Sequence, residues 1–463
     1  MSGIEVAKRS MEAQKYAMDV IGHNIANVNT EGYTRQRAEL ETTEPVLVAV
    51  TNKNKPLASM GTGVKMVAVS RVRDEFLDIQ QRNINQDFGS WIQEETNYSI
   101  IESIFNEPSD TAISGNLNRF WNGWQALASP DPTSPGARSN LMSQGEVLAN
   151  SLQQTHKQLQ DLQVNTDKDI QLKVNQVNDI SQQIANMNAN IVRTQASGSA
   201  NDMLDKRNNL VGKLAKLVNI EYYVDSSGSS TIAIGGVFLV SNQDVSKMTT
   251  EVDPGNNGYN TVKWENSGLA VKITDGELYG LIKTRDQTLA KYLDKLDTFA
   301  GTLISQINDL HSKGYGLNGT TGTKFFSGSD ASSIAVNDEL MQDSSLLAAS
   351  SSPESPEGNG ENAILIGNNR NKMVLSSNTV TLDQYYQNLV ADIGTGSAEA
   401  KTYVKTNEAL ALQIAKEINS VSGVSIDEEM TNMIKAQQAY TAAAKYLTMV
   451  QSTMDTLLNL VGR

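Results

Sequence analysis

The chain has 463 residues, enough for roughly three domains and an ample buried core. It carries 38 basic against 52 acidic side chains, a formal charge of −14, which argues against broad nucleic-acid binding and against an anionic membrane surface. Cysteine is absent, so disulfides, thiolate metal sites and thiol nucleophiles are excluded, a composition that suits the cell exterior.

The opening stretch "MSGIEVAKRSMEAQKY" is charged throughout and lacks the apolar centre of a secretory signal. No run of about 18 apolar residues occurs, so no transmembrane helix is expected. Any export would leave the first residues in place. Ser2 can cap a helix, with Glu5 completing a capping box. The apolar seam then runs Ile4, Ala7, Met11, Gln14, Met18, Ile21, Ile25 and Val28, in alternating steps of three and four. Asn27, Asn29 and Gly32 in "NIANVNTEGYTRQ" end the helix. Residues 38–72 favour extended structure, with "PVLVAV" and "VKMVAVSRV" as strands around a loop.

A second long helix spans about 74–106, with Leu77, Ile84, Trp91, Tyr98 and Phe105 recurring every seven residues before Pro108. "GNLNRFWNGWQALASPDPTSPG" gives a short helix and a Pro-rich turn. Trp121 and Trp124, three apart, share one face of it, by default a core face. A third helix covers about 137–194, with a possible break, and a fourth 202–217. From 218 to about 274 the period changes to two, around Gly/Ser turns, which predicts strands. The helical period returns over 276–311. Gly, Ser, Thr and Asn then dominate 312–380, and helices resume near Leu382 and Ala398.

The last helix starts after "SVSGVS". Ser425 is its expected cap, Glu428 the capping-box partner, and Asp427, Glu428 and Glu429 suit the positive end of the helix dipole. Its seam reads Met430, Met433, Gln437, Tyr440, Ala444, Leu447, Gln451, Met454, Leu457 and Val461, over roughly 54 Å. Each terminal seam takes about two positions in seven, too narrow for a globular core and suited to a helix–helix interface. The expected partners are each other, with lateral copies adding to a tube or ring. An ordinary intramolecular coiled coil fits the same pattern.

These residues carry a family resemblance. "IGHNIANVNTEGYTRQ" at 21–36 and "SGVSIDEEMTNMIKAQQAYTAAAKYL" at 422–447 resemble the terminal motifs of flagellar rod, hook and hook-associated proteins. "SGSANDMLDKRNNLVGKLAKLVNIEYY" at 197–223, "TIAIGGVFLV" after it, and "GELYGLIKTRDQTLAKYLDKLDTFAGTLISQINDLHSKGYGLNG" at 276–319 resemble the flagellar hook-associated protein 1 (FlgK) family. The resemblance implies a structural protein at the hook–filament junction. It would form a homo-oligomeric ring, with hook protein below, the second junction protein above, and an export chaperone on the C-terminal helix. Export would be through the flagellar type III apparatus, without a cleaved signal. Two departures stand out. Only about 70 residues, 312–380, could form a late insertion, and Lys416 is the sole base in "QIAKEINS", where paired arginines are expected.

Chemistry finds little support. Gly314, Gly316 and Gly319 spell GxGxxG, but a helix precedes them and a Thr-rich loop follows, which reads as a turn. His23, His156 and His311 are far apart, and nothing marks the carboxylates a metal site would need. Met430, Met433, Met449 and Met454 read as seam packing or as an adaptable docking face. "NYS" at 97 and "NGT" at 318 match glycosylation acceptors.

The expected fold is mainly α with a smaller β portion: elongated, with terminal coiled-coil helices and a central long-helix bundle carrying a small β subdomain. The expected domains are a discontinuous terminal helical domain (1–50 and 415–463), a helical bundle (51–217 and 275–414), a β-rich subdomain (218–274) and an insertion (312–380). The expected assembly interface is Ile4, Ala7, Met11, Met18, Ile21, Ile25, Val28, Met430, Met433, Tyr440, Ala444, Leu447, Met454, Leu457 and Val461. No enzyme activity, cofactor, metal, nucleic acid or membrane is expected. A hook protein or second junction protein is the alternative within the class. A secreted adhesin or enzyme on a helical stalk is the alternative outside it.

Overall fold

The computed structural model describes residues 2–48, 58–129, 131–196, 198–354 and 356–461. Helix α1 (Ser2–Ala26) is followed by strands β1 (Gln36–Thr42), β2 (Val46–Val48), β3 (Ala58–Met60) and β4 (Val64–Arg71). Then come α2 (Glu75–Phe105), α3 (Ile113–Ala128), α4 (Pro135–Gln195) and α5 (Asn201–Leu217). Strands β5 (Glu221–Val224), β6 (Ser230–Ile234), β7 (Val237–Ser241), β8 (Asp244–Val245), β9 (Met248–Val252) and β10 (Asn260–Trp264) precede α6 (Glu277–Lys283) and α7 (Ala290–His311). After β11 (Phe326–Ser327) and β12 (Ala335–Val336) come α8 (Asp338–Gln342), α9 (Glu361–Asn368), α10 (Leu382–Ser422) and α11 (Ile426–Val461). The mainly helical class with a smaller β portion holds.

The chain forms two compact units. Unit 1 comprises residues 1–86, 176–247 and 407–463; unit 2 comprises 87–175 and 248–406. The stretch 218–274, expected as one β-rich subdomain, holds two separate sheets: β5–β6–β7–β8 is an antiparallel meander, and β9–β10 a lone antiparallel pair. The first falls in unit 1 and the second in unit 2. In unit 1, β1 also pairs with β4, with a bulge at Glu39/Leu40, and β2 with β3. Ala49 and Val50 of "PVLVAV" lie outside the described residues.

Helix α4 starts at Pro135, where the missing N–H costs nothing, and runs 61 residues without the break the sequence left open. No Gly or Pro occurs from 146 to 195, so nothing interrupts the hydrogen-bond ladder. Leu141, Leu148, Leu152, Leu159, Ile170, Val174, Val177, Ile184 and Ile191 along it are all buried. A π-helical stretch, Thr284–Leu289, joins α6 to α7 inside what the period reads as one helix. Helix α10 also runs through the place where two helices were expected. Gly396 sits inside it because the Tyr98 ring comes within 2.6 Å of where a Cβ would stand.

Unit 2 holds one large apolar core. Phe120, Trp121 and Trp124 of α3 pack with Phe299, Phe325 and Phe326 in it, so the tryptophan pair faces the interior. His311 is enclosed beside Trp124 and Phe325, with ring centroids 6.0 and 5.6 Å away. Its Nδ1 lies 2.7 Å from the Thr323 carbonyl, and Nε2 accepts the Ala348 N–H at 3.0 Å. Those partners fix a neutral ring, and burial lowers its pKa to about 4.

Candidate assembly interface

In unit 1, α1 packs on α11 along one side and on β1 and β4 along another. The helices are antiparallel. Gly3 meets Tyr446 and Val450 near one end, and Asn24 meets Glu429 near the other. The fully buried apolar side chains of the two helices are small: Ala7 and Ala13 on α1, and Ala436 on α11. Such a seam brings two backbones close while removing little apolar area from water. Ile4, Met11, Met18, Ile21, Ile25 and Val28 are half-buried.

On α11 the inward positions include Met433, Tyr440, Leu447 and Met454, as the heptads predict. Between them the enclosed positions fall one residue earlier than expected: Glu429 rather than Met430, and Ala436 rather than Gln437. Ala444 is half-buried, while Met430 and Leu457 are about half exposed, at 47% and 53%. The Val461 side chain, like that of Ser2, lies outside the described residues. Helix α11 has 36 residues against 25 in α1, so it overhangs its partner by roughly 16 Å. Along the outer face and the overhang, Ile434, Met449, Leu458 and Leu460 are half to two-thirds exposed.

The seam is closed at one end by a polar cluster built from the loop after α1. Asn24 Nδ2 donates to the Gln36 carbonyl at 2.8 Å and to Glu429 Oε2 at 2.9 Å. Its Oδ1 accepts from Tyr33 Oη at 2.8 Å and from the Gln36 N–H at 2.9 Å. Arg35 reaches Glu429 through Nε at 3.0 Å and Glu428 through Nη1 at 2.9 Å, and its N–H bonds the Ser422 carbonyl. The second acidic anchor is Asp205 of α5. It accepts from the Thr34 N–H and from Arg71 Nη1, both at 2.9 Å. Gln36 Nε2 donates to Asp202 at 2.8 Å, and Asn201 Nδ2 donates to Gln36 Oε1 at 3.1 Å. Burial first, then the charges of Asp202, Asp205 and Glu429, push the Tyr33 hydroxyl far above its ordinary pKa, so it remains a donor. Gly32 makes the turn possible: its φ is +74°, and the Asn209 amide lies 2.1 Å from where a Cβ would be.

The expected caps are partly realised. Ser425 Oγ accepts the Glu428 N–H at 3.5 Å, but the Glu428 side chain turns to Arg35 instead of closing the box. Glu5 accepts from Arg9 one turn on. Sequence reasoning took Glu429 as part of an acidic helix start facing the helix dipole and missed Asn24 and Arg35 as its partners, with Tyr33 and Gln36 holding Asn24. The only signal was their clustering in one motif.

The residues weighed for chemistry are dispersed. His23 contacts Tyr33 at 3.0 Å and Asp202 at 3.6 Å, and His156 contacts Asp297 at 3.5 Å. Gly316 packs on the backbone of Ser345 and Leu346, and Gly319 has φ +75°, a turn geometry. Asn97 is 4% exposed and donates to Thr284 Oγ1, so the acceptor amide of the first glycosylation tripeptide is not at the surface. Among the described residues no helix is long and apolar enough to cross a membrane. Nor does any group of three or more His, Asp or Glu there form a metal-binding set.

The two paired terminal helices coincide with segments that resemble flagellar proteins. Two family models match there: flagella basal body rod protein at 4–34, and the C-terminal segment of flagellar basal body rod FlgEFG proteins at 417–460. Between them, residues 98–326 match the helical domain of flagellar hook-associated protein FlgK. Flagellar hook-associated protein 1 of Bacillus subtilis is 28% identical over 99% of this chain and 98% of its own length. That of Salmonella typhimurium is 26% identical over 99% of each. The flagellar hook junction protein FlgK of Burkholderia pseudomallei superposes with a TM-score of 0.64, covering 74% of this chain and all of the solved one at 16% identity, which speaks to the fold alone. Over nearly its whole length the chain is thus similar to flagellar hook-associated protein 1.

Proposed function

We propose that this chain is a structural component of the bacterial flagellum, the junction piece between hook and filament. The observation that carries this reading is the seam between α1 and α11. It is lined by alanines and locked by a polar cluster, and it leaves an apolar outer face and an overhang uncovered. Copies of the chain packed side by side as a ring would cover Ile4, Met11, Met18, Met430, Leu457 and their neighbours, gaining the apolar burial that one chain alone lacks. Hook protein would abut one side of that ring and the second junction protein the other. The same face of α11 would be shielded by an export chaperone before assembly. Its place of assembly would lie outside the cell. The role is assembly, not catalysis.

Cells lacking the protein should make hooks without filaments in electron micrographs. A Leu458→Lys, Leu460→Lys variant should fold normally but fail to restore filaments. Normal filaments in either strain would overturn the reading.

A further inference from the structure

We propose that a cleft in unit 1, walled by α2, α5 and β5, is a binding site for a compact oxyanion, a phosphate or a carboxylate. This goes beyond the junction role and does not depend on it. The cleft has a volume of about 310 Å³ and is lined by four guanidinium groups, those of Arg71, Arg73, Arg82 and Arg207, in a chain whose charge is −14. Two of them are neutralised within the fold. Arg71 pairs with Asp205 at 2.9 Å, and Arg73 grips Asp78 through two bonds of 2.5 and 2.9 Å.

The other two are not neutralised. Arg82 lies over the Tyr222 ring, 4.8 Å from its centroid, and among the described residues no carboxylate stands within ion-pair distance of it. Two carboxylates, Glu75 and Asp78, also line the cleft; Asp78 is already taken by Arg73, and Glu75 acts on Arg82 only from beyond ion-pair distance. Arg207 is 1% exposed and bonds Asn188 Oδ1 at 3.1 Å and the Gly228 carbonyl at 2.5 Å, with the Tyr222 hydroxyl also acting on it, and its Nε has no partner. Burial is the main cause that lowers the pKa of both; Asp78, Tyr222 and Glu75 for Arg82, and Tyr222 and Asp225 for Arg207, oppose it without cancelling it, while Arg73 and Arg71 add to it. Taking two guanidiniums from water without an opposing charge is unfavourable, and an anion in the cleft would remove that cost. The planar fork of Arg82 can offer two parallel N–H groups to two oxygens, the geometry that carboxylates and phosphates match.

The test uses the purified full chain, with inorganic phosphate as the probe and chloride at equal ionic strength as the control. Phosphorus NMR should show the phosphate line broadening with the wild-type chain, and titration should give binding about tenfold weaker or more in Arg82→Gln. Phosphate should raise the melting temperature of the wild type more than that of Arg82→Gln, since general salt stabilisation acts on both alike. Arg82→Glu, which supplies a carboxylate from within, should be indifferent to phosphate. No broadening with the wild type, or equal binding in wild type and Arg82→Gln, would overturn the proposal. Sedimentation in the same buffers distinguishes the two sources. Phosphate that dissociates a wild-type oligomer marks a carboxylate of a second copy as the natural occupant. Phosphate that binds without changing the mass marks a free anion.

Discussion

Asn24 and Glu429 stand 405 residues apart in sequence and share a 2.9 Å hydrogen bond inside unit 1. The amide belongs to the last turns of α1 and the carboxylate to the first turn of α11, so one contact fixes where both helices meet. Glu429 is 2% exposed and is also held by Arg35 Nε at 3.0 Å. Removing the amide would leave a buried carboxylate with one partner fewer and the Tyr33 hydroxyl without its acceptor.

Asn24→Ala should therefore cost about 1–3 kcal/mol of local stability in unit 1. Amide hydrogen exchange is the suitable measurement. Protection should fall at the end of α1 and the start of α11, and stay unchanged in the aromatic core of unit 2.

Gly32→Ala should destabilise the same loop by about 1–3 kcal/mol, since a left-handed φ and the Asn209 amide both oppose a methyl group there. Asn209→Ala in the same chain would relieve the clash but not the strain. The double variant should recover only part of the loss in denaturant unfolding.

His311 sets an acid limit for unit 2. Its pKa is near 6.5 in the unfolded chain and about 4 in the fold, so the unfolded state binds the extra proton first. Stability is little affected by this group above about pH 7, and is lost progressively as pH falls from 6.5 to 4, by roughly 2–3 kcal/mol at the acid end. Urea unfolding of His311→Gln should show a flatter dependence across that window than the wild type.

Asp275 acts with the opposite sign. Burial first, then a hydrogen bond and charge from Asp87, raise its pKa to about 7. A carboxyl that stays protonated in the fold weakens the folded state as pH rises from about 4 to 7. Asp275→Asn should thus stabilise the protein at pH 8 by about 1–2 kcal/mol, after allowing for solvent screening of a half-exposed group, and change little at pH 4. The Gly276 N–H, which donates to Asp275 Oδ1 at 2.8 Å, can keep an amide acceptor. Unfolding midpoints at the two pH values would decide it.

The long helices were legible because their cues are local. Pro135 starts α4, Ser425 opens α11, and apolar residues recur at three and four. Of the α11 seam, Met433, Tyr440, Leu447 and Met454 are half-buried. Between them the expected seam is off by one residue, because a glutamate at an inward position contradicts the apolar pattern. Only the amide of Asn24 and the guanidinium of Arg35, hundreds of residues upstream, make Glu429 tolerable inside. The separation of β9–β10 from the β5–β8 meander was illegible for a similar reason: alternation marks strands but not which strands pair. The need for glycine at 396 within α10 comes from the Tyr98 ring of another helix, which no local pattern announces.

The latch at Glu429 also penalises misalignment. If α11 slid along α1 by one heptad, the alanine seam would still close, since small side chains tolerate many registers. The carboxylate would then be enclosed without Asn24 or Arg35, at a cost of about 3–5 kcal/mol. Two slippery rods thus acquire a single permitted alignment, and every molecule presents an identical outline to whatever stacks beside it.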